Sequence, residues 1–308
     1  MSQFTPGGLP LAVTNLEKSY GRHEVIRGLN LEVQAQAILG LVGLNGSGKT
    51  TTLECVLGLQ GFQGGDIHVL GLSPTELYRA RGDIVGIFDT PSLHPNLTVR
   101  QSLEHARLLC QEPVRHSAEV EVLLGIERYR DFKIKHLSLG NRRRASIAQG
   151  LLGRPALIVL DEPFNGLDAE GVDDVLALIG RLNRDEGTTF LLSSHQLPYL
   201  EQICSHLAIL DHGVIALSDE IGHLLAQQHS QVRVRCNDPS AAVALIEETG
   251  VAAYERTDED GFLHFSLTAT SSEALNSMLV SQGIEVSELV IHRPSLSSLF
   301  RSITGGQG

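Results

Sequence analysis

The chain is short of cysteine, short of basic residues and without any long apolar run, and each shortage excludes a class of protein. Its four cysteines, Cys55, Cys110, Cys204 and Cys236, are scattered over 308 residues with no C-x-x-C pair. Neither a disulfide framework nor a cysteine metal cluster is expected, and free thiols in a reducing compartment account for the spacing. Lysine and arginine number 24 against 36 acidic residues, a net charge of −12. That balance argues against a broad nucleic-acid-binding surface. No apolar stretch approaches the roughly 18 residues of a membrane span. The N-terminus lacks the basic region and apolar core of a signal peptide. A cytoplasmic chain is expected, one that works at a membrane only through a partner. The 13 histidines are dispersed and suggest no His-rich metal site.

What remains is an ordinary globular composition, 42% hydrophobic and 19% charged, long enough for one large domain and a smaller one. One stretch organises the rest. Gly43, Leu44, Asn45, Gly46, Ser47, Gly48, Lys49 and Thr50 fit the phosphate-loop pattern G-x-x-x-x-G-K-[ST] at every fixed position, with Thr51 following. The apolar run Ala37 to Val42 reads as a buried strand leading into it, and Thr50 to Leu57 as the first turns of a helix. Glycines 43, 46 and 48 let the backbone curl so that its N–H groups point at phosphate oxygens. The helix N-terminus adds a field that favours an anion. Lys49 is placed to reach the β- and γ-phosphates of a nucleotide, and the Thr50 hydroxyl to ligate Mg²⁺.

Around this unit, Leu11 to Ser19 and His23 to Val33 alternate as an antiparallel pair, and Gly61 to Leu70 as a turn and a strand. Ser73 to Glu76 opens a short helix in capping-box style, and Ile84 to Phe88 is a buried strand that breaks at Asp89-Thr90-Pro91. Helical patterns fill Thr98 to about Leu152. Beyond Pro155, strands Ala156–Leu160, Thr188–Leu192 and His206–Leu210 alternate with helices Gly171–Asn183 and Leu197–Cys204. The order implies a mostly parallel, covered sheet. After about Glu220 the pattern becomes strand Gln231–Cys236, helix Ser240–Glu248, a hairpin of Ala252–Arg256 with Phe262–Leu267, helix Ser271–Ser281 and strand Val286–His292. This β-α-β-β-α-β order is that of ferredoxin-like domains, and a final helix follows at Ser295 to Ile303.

A second set of residues supplies chemistry. Leu157 to Asp161 is an apolar run ending in the carboxylate that serves a Mg²⁺ shell. Glu162 follows as a carboxylate suited to orient or deprotonate a water. Read alone, Asp161-Glu162-Pro163 is also a plain helix cap after a strand. Gly166-Leu167-Asp168 and Ser193-Ser194-His195 stand downstream. With Leu137-Ser138-Leu139-Gly140-Asn141 ahead of them, these motifs resemble the ATP-binding cassette family over about residues 10 to 220.

The resemblance implies an α/β fold: a phosphate-loop NTPase cassette with a mixed sheet and a helical subdomain at about 90–152. Residues 228–308 are then a C-terminal ferredoxin-like α+β accessory domain plus the final helix. It also implies ATP and Mg²⁺ as cofactors, and a homodimer of cassettes closing head to tail over two ATP molecules. In that arrangement Tyr20 stacks on adenine, and Ser138 and the Gly140 N–H touch the γ-phosphate bound by the partner cassette. Glu162 is the catalytic base, Asp168 lies at the dimer seam and His195 contacts the γ-phosphate as a switch. Read alone, Tyr20 is also a strand-end tyrosine and His195 also a surface histidine, but their order with the other motifs favours the functional readings. Arg142-Arg143-Arg144 could suggest anion or nucleic-acid binding and reads better as the solvated face of a helix.

Two positions depart from the family pattern. The usual Leu-Ser-Gly-Gly-Gln reads Leu137-Ser-Leu-Gly-Asn141 here, so Leu139 adds bulk beside the phosphate path. The position normally Gln or Glu after the strand Ile84 to Phe88 is Asp89, a shorter carboxylate that can still ligate Mg²⁺. One cassette with no membrane span resembles the energising subunit of a two-component transporter, held on the inner face of the cell membrane by its permease. The segment Asp89 to Thr98 and the tail Arg293 to Phe300 are similar to subunits that pair with exporter-type permeases. Such permeases move drugs, peptides, lipids or polysaccharides, or serve metalloenzyme maturation. The alternatives are a soluble cassette ATPase acting on ribosomes or DNA, and a regulatory cassette that senses through its C-terminal domain. The acidic balance weighs against nucleic acid as a partner.

Overall fold

The computed structural model describes residues 8–89, 93–228, 230–268 and 270–305. Thr90 and Pro91, where a break after the third buried strand is expected, lie outside the described residues. The chain divides after Ile221 into two compact units.

The first unit opens with β1 (Leu11–Tyr20) and β2 (His23–Val33), which pair antiparallel around a tight turn. Next come β3 (Ile38–Val42), α1 (Lys49–Val56), β4 (Gly64–Val69) and β5 (Ile84–Ile87). Three helices follow: α2 (Val99–Leu109), α3 (Ser117–Leu123) and α4 (Leu139–Gly150). The unit closes with β6 (Leu157–Asp161), α5 (Ala169–Glu186), β7 (Thr189–Ser194), α6 (Leu197–Ile203), β8 (His206–Asp211) and β9 (Val214–Glu220). A three-stranded sheet has the order β2-β1-β4, and a six-stranded sheet the order β5-β6-β7-β3-β8-β9. All pairs in the larger sheet are parallel except β8 with β9.

The core joins Leu11, Val13, Leu16, Leu29 and Leu31 of the small sheet to Leu39, Leu41, Leu157, Val159, Leu191 and Leu210 of the large one, with Leu53 and Val56 of α1. Every residue of β3, β6 and β7 is buried, as expected of central strands covered on both faces. Parallel strands place their C-terminal ends on one edge, so Val42, Asp161 and Ser194 finish side by side. The register pairs Asp161 with Ser193 and Val42 with Ser194.

Two local expectations are corrected. The strand Val214–Glu220 is not apparent in the sequence pattern, because its apolar half and its charged half carry no alternation. It forms because His212 and Gly213 both take positive φ, 45° and 82°, which makes a two-residue turn matching strand twist. Residues Pro74–Ala80 form a 3₁₀ turn, not a capped α-helix. Ser73 donates its hydroxyl to Glu76 Oε2 at 2.9 Å and accepts no backbone N–H. At the start of α2, by contrast, Thr98 and Gln101 form a complete capping box.

Helix α7 (Ile221–Ala226) starts at the division, and the second unit continues with β10 (Gln231–Cys236), α8 (Pro239–Thr249), β11 (Ala252–Thr257), β12 (Leu263–Leu267), α9 (Ser272–Ser281), β13 (Val286–His292) and α10 (Leu296–Ile303). Its sheet is wholly antiparallel in the order β11-β12-β10-β13. Val232, Val234, Leu263 and Phe265 pack with Ala242 and Ile246 of α8 and Leu275 and Leu279 of α9. Among the described residues no helix is long and apolar enough to cross a membrane.

In this unit His264 Nε2 lies 2.9 Å from Asp258 Oδ2, the Phe262 N–H donates to Asp258 Oδ1 at 2.8 Å, and Arg233 Nη2 donates at 3.2 Å. Those partners, His264 first, hold the Asp258 carboxyl at about 2. The unfolded value is about 3.9, so this stabilisation is present above about pH 4 and is lost as the pH falls through the folded value. Asp258→Asn is therefore expected to lower the thermal unfolding midpoint at pH 7. Its deficit against the native chain narrows below about pH 4. A deficit that stays constant from about pH 6 to about pH 3 would contradict the assignment.

Candidate functional site

The phosphate loop is shaped by two different demands on glycine. Gly46 and Gly48 hold φ of 83° and 106°, a region that costs other residues steric strain. Gly43 has ordinary backbone angles, but a Cβ there would lie 2.3 Å from Ser47 Oγ and 2.5 Å from Leu210 O. Gly48 caps α1 without a side-chain hydrogen bond, and no acidic residue sits in the first turn. The first N–H groups of the helix are thus left for an external acceptor. Ser47 Oγ is buried and has no hydrogen-bond partner among the described residues. Leu44, Asn45 and Gly46 form the exposed tip, and Thr51 is half-buried behind it.

Lys49 is buried, and its Nζ donates to Gly43 O at 2.8 Å and Leu44 O at 3.3 Å. Burial lowers its pKa, opposed by the nearby carboxylates of Glu162 and Asp161. The ammonium is therefore tied to the loop it serves and faces the end of β6.

Asp161 is the node of the site. Thr50 Oγ1 donates to its Oδ2 at 2.9 Å, and Ser193 Oγ donates to its Oδ1. Glu162 has a φ of 48°, unusual for a residue with a Cβ. Its N–H is held by Ser193 O at 3.0 Å and Ser193 Oγ at 3.2 Å. The turn swings its carboxylate outward, where Oε1 meets His195 Nδ1 at 2.9 Å. Glu162 Oε2 is buried without a hydrogen-bond partner among the described residues. The site therefore offers an ammonium, a hydroxyl–carboxylate pair of hard oxygen donors, and a carboxylate oxygen free to accept a proton. Thr50 and Asp161 suit Mg²⁺, which takes few protein ligands beside waters and phosphate oxygens. Among the described residues no group of three or more His, Cys, Asp or Glu could hold a metal by itself.

The structure thus joins Lys49, Thr50, Asp161, Glu162 and His195. It leaves Tyr20, Ser138, Gly140 and Asp168 outside that hydrogen-bonded cluster. Tyr20 ends β1 half-exposed, with Lys18 Nζ 4.6 Å from its ring centroid. Ser138 Oγ accepts the Asn141 N–H at 3.2 Å and caps α4. A Cβ at Gly140 would meet Gly166 O at 3.2 Å and Leu167 Cδ2 at 3.3 Å, so the start of α4 lies against the loop before α5. Leu139 is half-exposed beside it. Asp168 accepts the Gly171 N–H at 3.0 Å as the cap of α5. Asp89 is engaged by Arg143 Nη2 at 2.5 Å and Asn165 Nδ2 at 3.2 Å.

Sequence reasoning missed Ser193 and misread Arg143. Ser193 lies on β7 and ties Asp161 to Glu162, a role that only the β6–β7 register reveals. Arg143 belongs to no solvated face: its side chain is 1% exposed. It sits one turn before the buried Ile147 on the same face of α4, a spacing that was there to be read. Arg144 is also largely covered, paired with Asp174 at 3.1 Å.

A family model described as ABC transporter matches residues 26–165. The bacitracin transport ATP-binding protein of Bacillus licheniformis is 31% identical over 302 residues, covering 96% of this chain and 97% of its own length. A solved ATP-binding subunit of an ABC transporter is 26% identical with a TM-score of 0.65, covering 71% of this chain and 93% of that one. A dimeric ATP-binding cassette in a post-hydrolysis state with ADP and Pi shares the fold at a TM-score of 0.63 and 23% identity, over 68% of this chain and 98% of that one.

The two kinds of glycine predict different outcomes. Gly43→Ala drives a methyl into Ser47 and Leu210, and is expected to weaken nucleotide binding by more than about tenfold (~1.4 kcal/mol). Gly46→Ala meets open space and is limited to a strain of about 1–2 kcal/mol in the loop. Titration of a fluorescent nucleotide against both variants and denaturant melts of each distinguish them. Equal loss of binding in the two would contradict the steric reading of Gly43.

Proposed function

Since the chain belongs to the ATP-binding cassette transporter family, whose subunits hydrolyse ATP to energise a membrane permease, we propose that its site works as a shared one. Two copies close over two ATP molecules, each copy supplying the phosphate loop of one site and the start of α4 to the other. The observation that carries the reading is that Ser47 Oγ and Glu162 Oε2 are buried without a hydrogen-bond partner among the described residues, in the same loop and strand end that supply Lys49, Thr50 and Asp161.

Residues Gly43 to Thr51 bind the phosphates through backbone N–H groups, and Lys49 supplies the compensating charge. Thr50 and Asp161 would hold Mg²⁺, which when bound would supply positive charge against the charge that develops in phosphoryl transfer. Glu162 Oε2 accepts a proton from, or orients, the attacking water. His195, paired with Glu162 Oε1, keeps that carboxylate turned and reports the γ-phosphate. Ser138 and the Gly140 N–H complete the partner's site, which explains why they stand outside the cluster of their own chain. Asp168 lies at the seam between copies, and Tyr20 covers the adenine.

We assign residues 10–220 to the ATP-binding domain, with its helical subdomain at about 90–152, and residues 228–308 to an accessory domain. The permease pairing places the chain on the inner face of the membrane. Its permease exports a drug, peptide, lipid or polysaccharide or serves metalloenzyme maturation, and likeness over 96% of the chain to a bacitracin transport ATP-binding protein supports the first of these.

The test is ATP hydrolysis as a function of protein concentration. The rate per subunit is expected to rise with concentration, and Glu162→Gln to bind ATP while losing about 10²-fold or more in turnover. A rate independent of concentration would count against the shared site, and an undiminished rate in the variant against Glu162 as the base. His195→Ala is expected to lower turnover by about tenfold or more with little change in ATP affinity, as read from the separate kcat and KM.

A further inference from the structure

Arg143 carries a full charge at a place with almost no water. Such a group is tolerated only when every available partner is used. Its Nη1 donates to Phe88 O at 3.0 Å and Asp161 O at 3.3 Å, and its Nη2 to Asp89 Oδ1 at 2.5 Å. Its Nε is buried and has no partner among the described residues. The guanidinium therefore relies on one carboxylate and two carbonyls. Those carbonyls belong to the ends of β5 and β6, and the arginine itself belongs to α4. One side chain ties three elements that the site needs in register.

The same contacts account for Asp89. Its Oδ1 receives both Arg143 and Asn165 Nδ2, and Asn165 Oδ1 is in turn held by Gln196 Nε2 at 3.1 Å. Both donors hold the Oδ1 side of the half-exposed Asp89 carboxylate, so swinging that carboxylate toward a cation would part Arg143 from the one carboxylate it meets among the described residues and leave the guanidinium charge buried. Asp161, by contrast, presents its carboxylate to Thr50 and Ser193, neutral hydroxyls that a metal can displace or share.

We propose that Arg143 is a positioning residue that withholds Asp89 from the metal shell and pins α4 to the ends of β5 and β6. The cation in this chain is then held by the Thr50 hydroxyl and the Asp161 carboxylate without a second protein carboxylate. The inference rests on the MgATP reading of the site and refines it. It makes the position after β5 a structural anchor, and it makes the orientation of Ser138 and Gly140 follow the backbone of Asp161 through one guanidinium.

Mn²⁺ affinity, followed by electron paramagnetic resonance with a non-hydrolysable ATP analogue on the full chain, tests this directly. Asp89→Asn is expected to change Mn²⁺ affinity by less than about threefold, because the residue is no ligand. Arg143→Gln frees the Asp89 carboxylate and is expected to tighten Mn²⁺ binding by about threefold or more. Adding Asp89→Asn to Arg143→Gln removes that gain, and Arg143→Lys, which keeps the charge, stays near the native affinity. A lesion of packing alone would weaken binding in both arginine variants.

Weakening by about threefold or more in Asp89→Asn overturns the proposal, as does unchanged or weaker binding in a folded Arg143→Gln. Should Arg143→Gln fail to fold, the Asp89→Asn result decides alone. Absence of any nucleotide-dependent Mn²⁺ signal in the native chain would instead defeat the MgATP reading itself, an outcome distinct from the loss of affinity in Asp89→Asn.

Discussion

Everything in the first unit converges on the carboxylate of Asp161. It stands at the end of a fully buried strand, between two neighbours whose hydroxyls it accepts, Thr50 at the start of α1 and Ser193 on β7. A buried carboxylate is costly unless its oxygens are met by donors. Here the donors come from the phosphate loop's own helix and from the adjacent strand. The same node therefore fixes the loop relative to the sheet and leaves Glu162 in a single place. The parallel register is what makes this possible, because only parallel strands bring several C-terminal ends to one edge.

Charge is distributed around that node with little slack. Lys49 is buried with its pKa lowered by desolvation, and the carboxylates of Glu162 and Asp161 oppose the shift. Arg143 is more deeply buried and answers Asp89. Two cations and three carboxylates thus lie within one small region, and each cation has a distinct geometry. The lysine is a compact charge whose rotatable donors can pass from the loop carbonyls to a phosphate, whereas the arginine is a planar fork fixed on several acceptors at once. This difference explains why one serves a ligand and the other serves the frame.

Much of this was legible in the residues. The phosphate loop, the buried strand ending in Asp161 and the Ser193-Ser194-His195 segment announce themselves by type and spacing, and the structure brings Lys49, Thr50, Asp161, Glu162 and His195 together. The β-α-β-β-α-β order after Glu220 was likewise readable from alternation and turn residues. Other features were hidden for physical reasons. The role of Ser193 depends on which strand lies beside β6, and pairing leaves no mark in a local pattern. Strand β9 is set by a His212-Gly213 turn that mimics the more usual Asn-Gly. Arg143 hides among three consecutive arginines, where composition suggests solvent and only the helical phase of Ile147 says otherwise.

The backbone at Glu162 has a broader consequence. A φ of 48° in a residue with a side chain costs of order 1–2 kcal/mol, and two hydrogen bonds from Ser193 hold it there. Glycine would occupy the same conformation without strain. Stability and turnover therefore pull in opposite directions at this one position. A population of variants screened only for heat resistance would drift toward glycine at 162, yielding proteins that fold better and accomplish nothing. Glutamate at 162 thus gives up durability in the fold for a carboxylate at the place where the chemistry needs one.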